Sequence, residues 1–493
     1  MAIQGMLSML RSMNGTTPSK GFAHKMSRQF TFVLNTEIFE FGGPTGRPLL
    51  DAIRVDADLK GTKHACREGD CGSCVVLVGE PSEGAIRYRA MTSCLMPVAA
   101  AAGCHVITIE GLDPGQIGPL QQPFVDEGAS QCGFCTPGFL LSLVGHLLSC
   151  STWDVGPAFN SLAGNICRCT GYGSIQRATA KILEVLRDRV DVDEPRFAAL
   201  VREGFLPAGL REARALTLGL EPFTENDGED RPVAGGTDLY VQRPDDYSRL
   251  DITLVRAPKH GITAEDDTIV LAANTTAEDM KQSPELAAEL GDMIRPMDLM
   301  GSLPIRERAT IAGNIVNASP IGDMTIMLMA LDAELELASD GAARRLPLRA
   351  IYLGYKTLDL RPGELVESIR FRRRPGLLFN FEKVSKRTFL DIASVNSAAA
   401  IRVENGVIVE AGLSAGGVAP VPLALEKTEK LLRGRAPDAE TAWAAARSAA
   451  GEATPIDDVR GSADYKRLLL RQLVLAHFQV LFGLSGELVE VPA

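Results

Sequence analysis

The nine residues Cys66-Arg-Glu-Gly-Asp-Cys-Gly-Ser-Cys74 crowd three thiols and two glycines into one loop. With Cys94 they read C-x4-C-x2-C-x19-C, a spacing that holds a [2Fe–2S] cluster on four thiolates. Gly69 and Gly72 stand where the chain must fold tightly over a metal–sulfide core, since glycine accepts positive φ. The N–H groups that such a loop exposes can hydrogen-bond to sulfur and tune the bound centre.

Outward from this loop the pattern is that of a small sheet. Phe30 to Asn35 alternates apolar and polar positions, and Ile38 to Phe41 repeats the alternation, as a hairpin requires. Leu49, Leu50, Ile53 and Val55 predict a short helix before Cys66, and Cys94 returns from a second hairpin to complete the set.

A second group, Cys132, Cys135, Cys167 and Cys169, reads C-x2-C-x31-C-x-C. Phe139, Leu140, Leu143, Val144, Leu147 and Leu148 follow the first pair at helical spacing. Ile175, Ala178, Ile182, Val185 and Leu186 follow the second. Each pair therefore sits near a helix start, where the positive end of the dipole favours anionic thiolates. Two such helices side by side would bring the pairs together in a small bundle. Structural zinc also takes four thiolates from C-x2-C pairs. The x4-x2 loop speaks against zinc in the first set, whereas the second set taken alone leaves it open. Cys104 and Cys150 complete the ten cysteines and read as small buried hydrophobes.

At 493 residues the chain is too long for one ordinary core, and ~150 residues per domain gives about three domains. A hydrophobic share of 45% with 23% charged residues describes a globular protein. The net charge of −11 and pI near 5.3 provide no basic field for nucleic acid. No uncharged apolar run reaches the ~20 residues that span a bilayer. The best candidate, Leu468 to Leu484, is interrupted by Arg471, Gln472, His477 and Gln479 and reads as a core helix. Residues 1–36 carry Arg11, Lys20, Lys25 and Arg28 without an acid. Residues 1–27 read as a disordered extension, or as an early start with Met26 as the true beginning; a targeting segment is the alternative. Dense unpaired cysteine in an acidic chain points to a reducing, cytoplasmic setting rather than to disulfides.

Beyond Cys169 the cysteines stop. Asp191 to Gly204 is a charged stretch read as a linker. Two small-residue turns then stand out, Pro232-Val-Ala-Gly-Gly-Thr-Asp-Leu239 and Thr310-Ile-Ala-Gly-Asn314, the latter running on to Ser319 and Asp323. Glycines after an apolar strand let N–H groups approach a phosphate closely. Neither turn is G-x-G-x-x-G, so the Rossmann fingerprint is absent.

Cys66 to Cys74, Gln131-Cys-Gly-Phe-Cys-Thr-Pro-Gly138 and Gly164-Asn-Ile-Cys-Arg-Cys-Thr-Gly-Tyr172 together resemble the molybdenum hydroxylase family, which includes xanthine dehydrogenases and aldehyde oxidases. The resemblance implies an α+β multidomain fold: a plant-type ferredoxin-like β-grasp over 28–112, a four-helix [2Fe–2S] domain over 113–190 and a linker over 191–204. A non-Rossmann α+β FAD-binding domain over 205–380 and a C-terminal α+β domain over 381–493 complete it. By the same resemblance Pro232, Val233, Ala234, Gly235, Gly236, Thr237, Asp238 and Leu239 cradle FAD together with Thr310, Ile311, Ala312, Gly313, Asn314 and Asp323. Val366 packs on the isoalloxazine and Lys383 stands near it. Met300 replaces a stacking phenylalanine of many relatives, and Ala312 replaces a glycine. Gln131 faces a molybdopterin held by a partner, with an ordinary helix-start glutamine as the alternative. Asp391 reads as a surface carboxylate near the flavin edge. Gly416 to Pro420 and Asp458 to Lys466 resemble the region that closes the family's flavin domain.

No second large unit for molybdopterin follows, so the resemblance implies an iron–sulfur and flavin subunit paired with a large molybdopterin subunit, as a heterodimer or (αβ)2 heterotetramer. Electrons from a hydroxylated purine would cross two [2Fe–2S] clusters to FAD and then NAD+. An equivalent subunit for aldehydes or N-heterocycles, or a stand-alone flavin–iron–sulfur carrier, are the other readings. No side chain stands out as a catalytic acid or base.

Overall fold

The computed structural model describes residues 29–82, 84–113, 115–223, 232–255, 261–339 and 341–484. The extension expected over residues 1–27 lies outside them. Strands β1 (Gln29–Leu34) and β2 (Glu37–Gly42) form the predicted hairpin, with Phe30 opposite Phe41 and Phe32 opposite Phe39. They join β3 (Val75–Ser82), β4 (Ala85–Thr92) and β5 (His105–Ile107) in a sheet of order β2-β1-β5-β3-β4, where β1 runs parallel to β5. The predicted helix is a single turn, Leu49–Asp51, continuing into the wider turn Ala52–Asp56. It buries Leu50 and Ile53 on one face of the sheet with Phe32, Val76 and Val78. Val75 and Leu77 point the other way into a second core. Strand β3 is therefore buried on both faces, which is why it reads as an apolar run rather than an alternation.

That second core is the helical module. Helices α1 (Gln122–Asp126), α2 (Thr136–Ser149), α3 (Val155–Ser161) and α4 (Gly173–Arg189) pack on the back of the first sheet. Gly138 to Leu147 of α2 are buried without interruption, because the helix touches β3 and β4 on one side and α3 on the other. Helix α4 buries only one stripe, including Ile175, Ala178, Ile182 and Leu186, and ends with Arg187 and Arg189 against the negative pole of its dipole.

The linker expected over 191–204 is a packed element. Helix α5 (Arg196–Arg202) stacks Phe197 on Tyr88 at 5.2 Å and buries Leu200 in the helical core. The acids that made the stretch read as solvated tie down its outer side, Glu194 and Glu203 both pairing with Arg202. Phe205, Leu206 and Leu210, assigned in sequence to the flavin module, belong to the same core.

Two larger antiparallel sheets build the flavin module. In the first, β6 (Ile262–Glu265), β7 (Thr268–Ala272), β8 (Glu334–Ser339), β9 (Ala342–Pro347) and β10 (Leu365–Arg372) lie in the order β9-β8-β10-β7-β6. In the second, β11 (Leu377–Val384), β12 (Val395–Glu404), β13 (Val407–Gly416) and β14 (Leu423–Ala424) run in sequence. The boundary expected at 380 thus falls inside β11. Short helices α6 (Leu303–Arg306) and α7 (Ile311–Val316) lead to α8 (Asp323–Ala330), every residue of which is buried among the two sheets. The final helix, α9 (Ala463–Phe482), covers β11 and β12 as its apolar pattern predicts. No described helix is long and apolar enough to cross a membrane.

Candidate electron-transfer site

Cys66 and Cys71 project from the loop before β3, Cys74 opens β3, and Cys94 lies in the turn after β4 (residues Ser93–Leu95). The loop works through left-handed backbone at Arg67, Gly69 and Gly72. Sγ of Cys66 lies 3.2 Å from Sγ of Cys71, which also meets the Ser73 hydroxyl at 3.1 Å. Cys74 and Cys94 form the other hydrogen-bonded sulfur pair. Donation from Cys66 draws the Cys71 thiol well below the usual thiol range, and donation from Cys94 does the same for Cys74. The Glu68 N–H donates to Cys66 sulfur at 3.4 Å, as expected of a loop that cradles thiolates.

In the helical module Cys135 is the residue before α2, and Cys167 and Cys169 precede α4. The sulfurs pair again across the two segments, Cys132 with Cys169 and Cys135 with Cys167. Burial works against ionising Cys167, yet hydroxyl and N–H donation from Thr170 holds it below the usual range. Burial pushes Cys135 up to about 12, so in this pair a proton donor faces a thiol held below its usual range. Tyr172, in left-handed backbone, turns its hydroxyl back to accept the Cys167 N–H at 3.2 Å.

Sulfurs arriving two by two fit a diiron centre, in which each iron takes two thiolates. A lone zinc ion draws four ligands to one point. Both four-cysteine sets suit [2Fe–2S] clusters on this pairing.

The two sets are in direct contact. The Ile166 N–H donates to the Cys71 carbonyl at 3.0 Å, so ligand residues of the two sites are separated by one hydrogen bond and one peptide unit. Asn165 is buried against this junction and donates to the Ser142 hydroxyl of α2 at 2.8 Å. A Cβ on Gly138 would meet the Gly72 carbonyl at 2.2 Å, so the loop of the first site rests directly on α2. The first set is the more buried, with Cys74 and Cys94 buried and Cys66 and Cys71 half-buried, whereas Cys132, Cys169 and Gln131 are exposed, as are Phe134 and Tyr172.

The opposite end of the first site faces the flavin module. A Cβ on Gly69 would strike Ile305 Cδ1 at 2.5 Å, and Gly236 of the first glycine turn lies against the Leu95 carbonyl, next to Cys94. The two glycine turns, separated by more than seventy residues in sequence, are brought together. Arg308 donates from Nε and Nη2 to the Gly235 carbonyl at 3.1 and 2.9 Å, and Gly235 approaches so closely that a Cβ would sit 1.9 Å from the Arg308 carbonyl. Among the described residues the N–H groups of Gly235, Gly236 and Thr237 find no protein acceptor. Such free donors in a left-handed turn form an anion-binding nest, which fits a dinucleotide diphosphate. Thr310 caps α7 by accepting the Gly313 N–H, and Asn314 Oδ1 accepts from Thr325. Asp238 is raised above the usual carboxylate range by burial, with Lys356 opposing the rise.

Asp323 and Lys383 meet as a buried pair, Nζ to Oδ2 at 2.8 Å, and Lys383 also donates to the Leu299 carbonyl, one residue before Met300. Asn396 of β12 donates to the other Asp323 oxygen. Met300, Ile311, Ile315 and Val366 share the apolar core behind this pair, and Ala312 packs against it. Asp391 accepts the Arg387 N–H at 2.9 Å, closing its own loop. Sequence reasoning missed Asn396, for which no motif gave a signal. It also missed Asn165, although that residue stood inside the quoted Gly164 to Tyr172 string, and Arg308, two residues before the second turn.

Four family models match in chain order: the 2Fe-2S iron-sulfur cluster binding domain over 32–99 and the [2Fe-2S] binding domain over 108–180. The FAD binding domain in molybdopterin dehydrogenase follows over 213–371, then the CO dehydrogenase flavoprotein C-terminal domain over 381–480. Among whole proteins, xanthine dehydrogenase 1 of Arabidopsis thaliana is 27% identical over 474 residues, covering 78% of this chain and 34% of that protein. The xanthine dehydrogenase of Drosophila subobscura is 26% identical over 513 residues, covering 90% and 38%. The chain thus spans about a third of the length of the curated relatives it matches. Among solved structures, a Cu,Mo-CO dehydrogenase chain is 30% identical with a TM-score of 0.48, covering 50% of this chain and 88% of that one. A quinoline 2-oxidoreductase from Pseudomonas putida gives 22% and 0.46, covering 51% and 88%.

Proposed function

We propose that this chain, which belongs to the molybdenum hydroxylase family and carries its iron–sulfur and flavin modules, serves a xanthine dehydrogenase whose molybdopterin lies on a partner subunit. The observation that carries this reading is the contact between two four-thiol sites, the more buried one facing the flavin module and the other with exposed cysteines. When bound, the clusters move single electrons and the flavin exchanges singles for pairs, chemistry that belongs to the cofactors. The protein's part is to hold and orient them. Four thiolates in each set fix the clusters, and the Ile166–Cys71 hydrogen bond fixes their separation. Gly235 to Thr237 offer N–H donors to the FAD diphosphate. Lys383, pinned by Asp323, holds a positive charge at the edge of the site. Gln131, Cys132 and Cys169 face outward, where a molybdopterin subunit would dock.

Xanthine as substrate follows the names of the whole-protein relatives; hypoxanthine, NAD+ as acceptor and a heterodimer or (αβ)2 assembly in the cytoplasm belong to the same proposal. Co-expression with candidate molybdopterin subunits, followed by iron, sulfide and flavin analysis and assay with hypoxanthine plus NAD+, tests the proposal. Two [2Fe–2S] clusters, one FAD and purine-dependent NADH formation are expected. Turnover of aldehydes or quinolines without purine activity would move the substrate assignment. Protein without iron and acid-labile sulfide would end it.

A further inference from the structure

Arg308 is 8% exposed, and Glu80, the acid nearest in influence, is engaged by Arg89 instead. Its guanidinium spends Nε and Nη2 on one backbone carbonyl, that of Gly235. Burial lowers its proton affinity to about 10, which marks a cation held without full compensation by protein charge. A buried charge in that position costs free energy unless an opposite charge arrives. The carbonyl it grips belongs to the turn whose N–H groups at Gly235, Gly236 and Thr237 lack acceptors among the described residues. The bidentate grip orients the Gly235 peptide, and a planar guanidinium does this where an ammonium would make only one contact. The turn thus keeps its N–H donors free while the cation lies behind the same peptide.

We infer that Arg308 is a positioning residue for the diphosphate of FAD, fixing the first glycine turn from behind and supplying the counter-charge that makes the site select a dinucleotide flavin. The inference rests on the flavin reading above and deepens it. It concerns the phosphate end of the ligand and leaves the isoalloxazine contacts to Met300, Val366 and Lys383.

The test uses the full chain with its clusters in place and its flavin removed, titrated with FAD or with riboflavin, which lacks the diphosphate, by quenching of flavin fluorescence. R308Q removes the charge, and R308K keeps it with a single contact. R308Q should weaken FAD at least tenfold while riboflavin affinity changes less than twofold, and R308K should recover most of the FAD affinity. Visible circular dichroism of the clusters serves as the folding control and should match wild type in both variants. FAD affinity in R308Q within twofold of wild type overturns the inference, as does an equal loss of FAD and riboflavin, which is the signature of a collapsed turn. A wild-type protein that takes up clusters but no FAD overturns the flavin reading itself, and the inference with it.

Discussion

Replacing Gly138 by alanine sets two effects of opposite sign against each other. Gly138 is the third residue of α2, with helical neighbours on both sides. On helix propensity alone, alanine there would stabilise by about 1 kcal/mol. The new methyl, however, would lie 2.2 Å from the Gly72 carbonyl and 2.9 Å from Asn165 Oδ1. Neither obstacle is the free end of a flexible side chain, since one is backbone and the other is buried and hydrogen-bonded. Overpacking of this kind costs roughly 1–3 kcal/mol. Parting the two loops would also strain the Ile166–Cys71 hydrogen bond, worth about 1 kcal/mol. The sum is a loss on the order of 1–3 kcal/mol, localised where the two cluster sites touch. Urea unfolding followed by visible circular dichroism of the clusters should show an earlier loss of both cluster signals in G138A. G156A is the control: it sits in α3, its Cβ would meet nothing within 4 Å, and it should be neutral or stabilising. G138A as stable as wild type would refute the claim that the cluster loops are held in contact by that glycine.

C135S should abolish one cluster signal in electron paramagnetic resonance and block purine-to-NAD+ transfer while NADH–dye activity through the flavin survives; loss of both activities would indicate misfolding instead. K383M leaves Asp323 buried without its cation, which should cost about 3–5 kcal/mol. Thermal unfolding reads this, and adding D323N should restore part of it. His105, His146 and His477 are lowered by burial to about 4, 4 and 3, so their contribution is complete above the ordinary value of 6.5 and is lost as pH falls through that window. Urea midpoints measured from pH 8 to 4 should therefore drop below about 6.5. Glu307 acts in the other sense. Burial raises it to about 7, so its contribution is present below 4.5 and is lost as pH rises through 7. E307Q should flatten the alkaline side of the same profile.

The cysteine spacing made both cluster sites legible, because four thiolates at fixed intervals around glycines serve few other purposes. The pairing of sulfurs needed the fold, since Cys132 and Cys169 are neighbours only once α2 and α4 pack, and the choice of diiron over zinc in the second set rests on the [2Fe-2S] family match over 108–180. The glycine turns were visible as turns, but their meeting through Arg308 depends on a contact across 73 positions. Residues 191–204 misled because acids at Asp191, Asp193 and Glu194 mask a short amphipathic helix whose apolar side is only Phe197, Ala199 and Leu200. The flavin module's inner boundary misled for a related reason: Phe205, Leu206 and Leu210 pack into the helical core, and Pro207 to Gly209 between them carry no charge that would mark a boundary.

Phe223, Tyr240, Tyr247, Ile252 and Leu254 of the flavin module fill the same core as Phe30, Phe41 and Leu49 of the first sheet. An expression fragment stopping after α4 would strip that wall away and leave a raw apolar flank in water. Evolution can splice such units in order, yet here they have grown into one another like adjoining rooms built on a common wall. Trimming the protein for crystallography or engineering should therefore avoid the seam that the motif order invites.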